Sequence, residues 1–105
     1  MTSSDFYCDY VVNNKISVKK EIETQSVLAY HHTNPNWPVH IVVIPKQHIS
    51  SLWDCDDNLL IEIFSIIRKM AKKLMLKYGA CRILTNTGSY QDSKHLHWHL
   101  YVEKS

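Results

Sequence analysis

The chain is short of several features that would settle its class at once. It has no long apolar run and no apolar leader, so it reads as soluble and intracellular, with no membrane partner. Its three cysteines, Cys8, Cys55 and Cys81, are odd in number and not closely spaced. That argues against a disulfide framework and for free thiols in a reducing, cytoplasmic compartment. There is no internal repeat, low-complexity segment or linker, and 105 residues fit one compact domain, residues 1–105, with one modest core. The formal net charge is only +2, and the lysines are scattered, chiefly through 15–20 and 68–77, not gathered in a basic stripe with interleaved aromatics. An extended nucleic-acid partner is not expected.

The patterning that is present predicts an alternation of short strands with one long helix. Phe6, Tyr10 and Val11 stand at helical spacing behind Asp5, and Asn13-Asn14 ends that short N-terminal helix. Residues 16–22 alternate apolar and polar, residues 26–31 are rich in strand formers, and KEIETQ between them reads as the turn of a hairpin. HHTNPNWP, with two prolines and no periodicity, is a loop. VHIVVIP is a continuous apolar run, which predicts a central strand covered on both faces. After the acidic start DCDD, one helical face carries Leu60, Ile63, Phe64, Ile67, Met70, Ala71, Leu74 and Tyr78, opposite Glu62, Lys69, Lys72, Lys73 and Lys77, and Gly79 closes the helix. A strand over 81–85, the loop NTGSYQDSK and a final strand over 95–102 complete the order.

The final segment, HLHWHLYV, carries the chemistry. On a strand, His95, His97, His99 and Tyr101 share one face, while Leu96, Trp98, Leu100 and Val102 share the other. One reading is a surface strand that merely carries histidines, but three on one face opposite four apolar residues make a poor accident. A metal site is a second reading. Same-face neighbours on a strand are about 6 to 7 Å apart, so the outer histidines converge poorly on one ion and further ligands would have to come from His31, His32, His40 or His48. The nucleophilic reading suits the spacing better. An imidazole with an ordinary pKa near 6.5 is largely neutral at cellular pH and can attack phosphorus, dividing one displacement into two easier ones. Flanking rings can orient the nucleophile, bind phosphate oxygens and help protonate the leaving group.

HLHWHLY resembles the motif that names the histidine triad (HIT) family of nucleotide hydrolases and transferases. The segment LAYHHTNPNWPVHIVVIPKQHISSL, residues 28–52, is similar to the family's strand, proline-containing loop and VIPK-x-His stretch, and CDYVVNNKI is similar to its opening helix. The resemblance implies an α+β fold, a five-stranded antiparallel sheet with one long helix and a short N-terminal helix, commonly doubled into a homodimer. It implies that His97 is the nucleophile, taking a nucleoside monophosphate group from a purine nucleoside phosphoramidate or dinucleoside polyphosphate. His99 would contact the scissile phosphate and the leaving-group side, and His95 and His40 would form the hydrogen-bonded set that fixes the rings. Asn86 and Gln91 would contact the phosphate region, and Tyr7, Tyr10 and Tyr30 would fall at the base pocket. No cofactor or metal is implied for the covalent chemistry. The runner-up is a nucleotide- or partner-binding module that kept the triad without turnover, and a His-rich metal-binding module is the third possibility.

The sequence departs from the family pattern at several positions. His32 stands where relatives often carry an acidic or amide residue for the ribose hydroxyls, and imidazole cannot accept from both as a carboxylate does. Asp92 stands where many have Ser or Thr beside the phosphate, and would repel phosphate oxygens unless Lys94 or a metal compensates. Tyr90 replaces the expected glycine, and the Cys-x-x-Cys start of some zinc-binding relatives is absent. His48 can serve as a loop-fixing residue, Trp98 as core and Trp37 as a base platform or loop packing. Tyr7, Tyr10 and Tyr30 are also accounted for by helix and sheet packing.

Overall fold

The structure, a computed structural model, describes residues 7–13 and 16–104, apart from the side chains of residues 8–10. The expectations for Asp5, Phe6 and Asn14, and for the side chains of Cys8 and Tyr10, lie outside the described residues. Five antiparallel strands, β1 (Lys20–Glu23), β2 (Val27–His31), β3 (Val39–Pro45), β4 (Arg82–Thr85) and β5 (Trp98–Val102), form one sheet in the order β1-β2-β3-β5-β4. One long helix, α1 (Asp57–Tyr78), lies between β3 and β4 in the chain. This is the α+β architecture expected.

The continuous apolar run of β3 is explained by cover on both faces. Ile41 and Val43 join Val27, Ala29, Leu96, Trp98 and Leu100 in a core beneath α1. The alternate residues Val42 and Ile44 join Leu28, Tyr30, Tyr7 and Val11 in a second cluster. His40 lies in register with Tyr101, and Val42 with His99, so the histidine face of the sheet is this second face. Its cover comes in part from Tyr7–Val12, a single π-helical stretch where a short N-terminal helix was expected.

Three other local expectations need correction. KEIETQ is not all turn, because Lys20–Glu23 is β1 and the reversal is confined to residues 24–26. The Thr24 hydroxyl accepts from the Ser26 and Val27 amides, at 3.2 and 2.9 Å, and holds that reversal. Glu23 pairs with Lys20 and Lys46, and Glu21 with His31 and Lys73, so the charges of this edge strand are met by remote partners. On α1 the inward stripe is Ile63, Ile66, Ile67, Met70 and Leu74, with Ile66 buried and Phe64 half exposed. Phe64 turns onto the flank, edge-on to Trp98. Finally, the last strand begins at Trp98 and not at His95, since β3 reaches only Val43 before its ladder to β5 stops.

The helix ends are closed by side-chain and backbone geometry. Asp56 accepts a hydrogen bond from the Leu59 amide at 2.8 Å, and Gly79 sits at φ 85°, which suits glycine. Asp56→Ala is expected to cost about 1 kcal/mol. Leu100→Ala, at a fully buried position between sheet and helix, is expected to cost about 2–5 kcal/mol. Urea denaturation at neutral pH measures both, and equal losses would contradict this division between cap and core.

Candidate active site

The segment 95–97 lies beyond the β5 ladder, and other bonds hold it. The Leu96 amide donates to the Ile49 carbonyl at 2.6 Å, the Thr85 hydroxyl to the His97 carbonyl at 2.6 Å, and His95 Nε2 to the Pro45 carbonyl at 2.7 Å. The Gln91 amide nitrogen donates to the Ser50 carbonyl at 2.7 Å and ties down the preceding loop. Gln91 is itself buried, so the loop of residues 46–50 and the triad segment brace one another.

These anchors determine which nitrogen of His97 is available. His97 Nδ1 lies 2.6 Å from the His95 carbonyl oxygen, which can only accept, so Nδ1 carries the proton and Nε2 the lone pair. Burial is the main reason the His97 pKa lies below the ordinary histidine value, and the His95 carbonyl and the Asp92 carboxylate pull in the other direction. The Tyr7 ring lies over His97 at 4.9 Å, and His99 meets it edge-to-face at 4.9 Å. Only 4% of His97 is exposed.

A second pair is formed by His40 Nε2 and His99 Nδ1, 2.8 Å apart. Burial pushes His40 down to about 3 and His99 to about 4, and neighbouring imidazoles add to both shifts. Both rings are therefore neutral at pH 7. Buried His40 Nδ1 has no hydrogen-bond partner, and an orphaned lone pair is less costly there than an orphaned N–H. That assigns the shared proton to His40 Nε2, leaves His99 accepting at Nδ1, and places a proton on His99 Nε2.

His32 stacks on His40 at 4.3 Å and 12°, and its Nδ1 accepts from the Asn34 amide at 2.9 Å. Burial also lowers its pKa. A cavity of about 460 Å³ is lined by His32, His40, His99, Tyr101, Trp37, Asn34, Asn36, Leu84, Asn86 and Asp92. Among the described residues, no three His, Cys, Asp or Glu side chains converge as metal ligands.

The expected site residues divide accordingly. His40, His99, His32, Asn86 and Asp92 share the cavity, while His95 and His97 lie under Tyr7. His40 pairs with His99, and the His95 backbone carbonyl supports His97. Tyr30 is in the apolar cluster, 1% exposed, and Gln91 faces Ser50. Lys94 donates to the Gly88 carbonyl at 3.2 Å. Trp37 packs at the loop tip, stacked on Tyr101 at 3.7 Å. The sequence reading gave no role to Tyr101, Leu84, Asn34 or Asn36; only Tyr101 carried a signal, as the fourth residue of the alternating face.

A five-stranded antiparallel sheet with one long helix and histidines alternating into β5, next to the central strand β3, defines a known class. The HIT domain model matches residues 13–105, and the chain belongs to that family. An uncharacterised HIT-like protein of Helicobacter pylori is 32% identical over 92 residues, covering 86% of this chain and 88% of that protein. The adenosine 5'-monophosphoramidase of Saccharomyces cerevisiae is 30% identical over 96 residues, covering 90% of this chain and 60% of the yeast protein. A histidine triad protein from Clostridium difficile superposes with a TM-score of 0.80 at 34% identity, covering 100% of this chain and 96% of that one. A HIT family hydrolase from Legionella pneumophila gives 0.81 at 27% identity, covering 97% and 95%.

The buried neutral pair makes stability depend on acid. Unfolded, His40 and His99 titrate near 6.5; folded, they are held to about 3 and about 4. Below pH 6.5 the unfolded chain binds more protons, so this contribution is complete above that pH and is lost progressively toward pH 4. Thermal melts between pH 7 and pH 4 are expected to show a falling Tm, with a shallower slope in His40→Gln. An identical slope in that variant would mean that the pair is not its source.

Proposed function

We propose that this chain is a nucleotide-binding hydrolase or transferase that cleaves at the α-phosphate of purine nucleoside phosphoramidates or dinucleoside polyphosphates through nucleotidyl-His97. The observation that carries this reading is the 2.6 Å bond from His97 Nδ1–H to the His95 carbonyl, which leaves the Nε2 lone pair as nucleophile. As Nε2 bonds to phosphorus the ring becomes cationic, and the same carbonyl stabilises it. His99 Nε2–H donates to the phosphate and faces the leaving group, His40 fixes His99, and His95 is fixed by Pro45. Water then cleaves the phosphorus to nitrogen bond. The step as written uses no cofactor.

The neighbouring residues take supporting roles in this proposal. Asn86 contacts phosphate from the cavity wall, Gln91 holds the adjoining loop, and Tyr7, Tyr10 and Tyr30 belong to the base side. The yeast relative's activity on an adenosine phosphoramidate supports the substrate class. The Asp92 carboxylate, on the cavity wall with no ion pair among the described residues, favours a second reading: a nucleotide- or partner-binding module with weak or no turnover. Residues 1–105 act as a single HIT-like domain in the cytoplasm, a placement supported by the free thiols of Cys55 and Cys81.

The occupant proposed for the helix flank is a second copy of the chain. Ile61, Phe64 and Ile83 are 70, 50 and 47% exposed beside the outer edge of β4 and line an apolar groove. An unpaired edge next to an apolar patch suits a two-fold homodimer with a continuous sheet. Sedimentation equilibrium should give twice the chain mass for wild type and the chain mass for Ile83→Asp. A monomeric wild type sinks the dimer.

Intact-mass spectrometry after mixing with an adenosine phosphoramidate or dinucleoside polyphosphate, quenched without acid, tests the chemistry. A nucleotidyl mass shift is expected on wild type and not on His97→Ala, with turnover reduced by roughly 10⁴-fold or more in the variant. Saturable nucleotide binding without adduct or product would transfer support to the binding module.

A further inference from the structure

Among the described residues, no lysine or arginine lines the cavity that His99 faces. Burial keeps His32, His40 and His99 neutral, so the side chain left to set the charge of the lining is Asp92. Asp92 is exposed and forms no ion pair among the described residues. Lys94, the neighbour expected to compensate it, is turned to the Gly88 carbonyl. The Asp92 carboxylate is nevertheless within electrostatic reach of both His97 and His99, raising the proton affinity of each.

We propose that Asp92 is a charge filter on the leaving group, favouring amines, above all amines that carry a second ammonium, and rejecting polyphosphate. The inference rests on the reading of His97 as nucleophile and His99 as the leaving-group residue. With a phosphoramidate, His97 Nε2 forms a bond to phosphorus and the phosphorus to amine bond breaks. The departing nitrogen must gain a proton, which His99 Nε2–H supplies once the bound phosphate anion and Asp92 together have favoured the cationic ring, with His40 shifted to its Nδ1–H tautomer so that its Nε2 accepts from His99 Nδ1–H. The amine leaves, water attacks phosphorus, its proton returns to His99, and nucleoside monophosphate and neutral His97 remain. Positive charge develops on the leaving nitrogen in this sequence, and Asp92 stabilises it.

With a dinucleoside polyphosphate, the bond that breaks is phosphorus to oxygen, and the leaving group gains negative charge without needing the proton. Asp92 then opposes the transition state, and among the described lining residues no lysine or arginine offsets that repulsion. One carboxylate thus acts with opposite sign on the two leaving-group classes.

The test compares kcat/KM for AMP joined through phosphorus to propanediamine, for AMP joined to the neutral isostere butylamine, and for diadenosine tetraphosphate, with wild type, Asp92→Asn and Asp92→Glu. Wild type is expected to prefer the diamine over butylamine, and both over the tetraphosphate. In Asp92→Asn the diamine preference should disappear and the tetraphosphate should gain roughly tenfold relative to butylamine, an effect that shrinks as salt is raised. Asp92→Glu should retain the wild-type order. Unchanged ratios in Asp92→Asn overturn the filter, whether or not turnover persists.

The adduct on wild type with the butylamine substrate, whose arm is uncharged, reports on His97 separately. Should no substrate give adduct or product, the catalytic reading falls and the filter is read by calorimetry alone. The ratio of ATP to AMP affinity should rise in Asp92→Asn, and a ratio equal to wild type overturns the filter there too.

Discussion

The bond from the His97 ring to the His95 carbonyl is the constraint from which the chemistry of the site follows. It joins two residues of the same short segment, so its geometry is set by the path of the backbone and not by packing of a free side chain. That path lies just outside the sheet, where no ladder holds it. Its position depends on carbonyls and a hydroxyl contributed by Pro45, Ile49 and Thr85. The sheet edge beyond Val43 therefore serves as a mount: strand pairing ends, and backbone groups that would have paired hold the triad.

The site is continuous with an apolar cluster, and this governs its charge. The sheet face that carries His40 and His99 also carries Val42, Ile44, Leu28 and Tyr30, closed over by Tyr7 and Val11. Burial beside that cluster disfavours imidazolium, so the rings rest neutral and nucleophilic. The same neutrality leaves the cavity without a resident cation. With no guanidinium among the described lining residues, an anion there would meet only N–H donors, a weaker hold, and the charge of any single wall residue weighs more heavily.

The parts of this arrangement that were legible in sequence are those with a strict local period. Alternation in HLHWHLYV separated the core residues Leu96, Trp98 and Leu100 from the histidines, and it persists even where the ladder has stopped. The apolar run of β3 and the capped helix were equally plain. Illegible were features that depend on partners far along the chain. KEIE becomes a strand by pairing with β2, its glutamates meeting Lys46, Lys73 and His31, and Trp37 settles on Tyr101 because β3 and β5 bring the two together. Phe64 and Ile66 exchanged roles because a helical stripe read from sequence fixes a face only to within about one residue, whereas the twist of the sheet decides which flank is covered.

The positions that depart from the family pattern lie on the loops that border the site, not on the strands beneath it. His32 follows β2, and its ring is accommodated by stacking on His40 and by the Asn34 amide, beside a β2–β3 ladder that runs without a break from Val27 to His31. Asp92 precedes the triad in a stretch tied down by Gln91 and capped at Gly88, and it too disturbs no ladder. A fold that braces the His97 ring on backbone carbonyls can vary the charge of the surrounding loops while that ring stays in place.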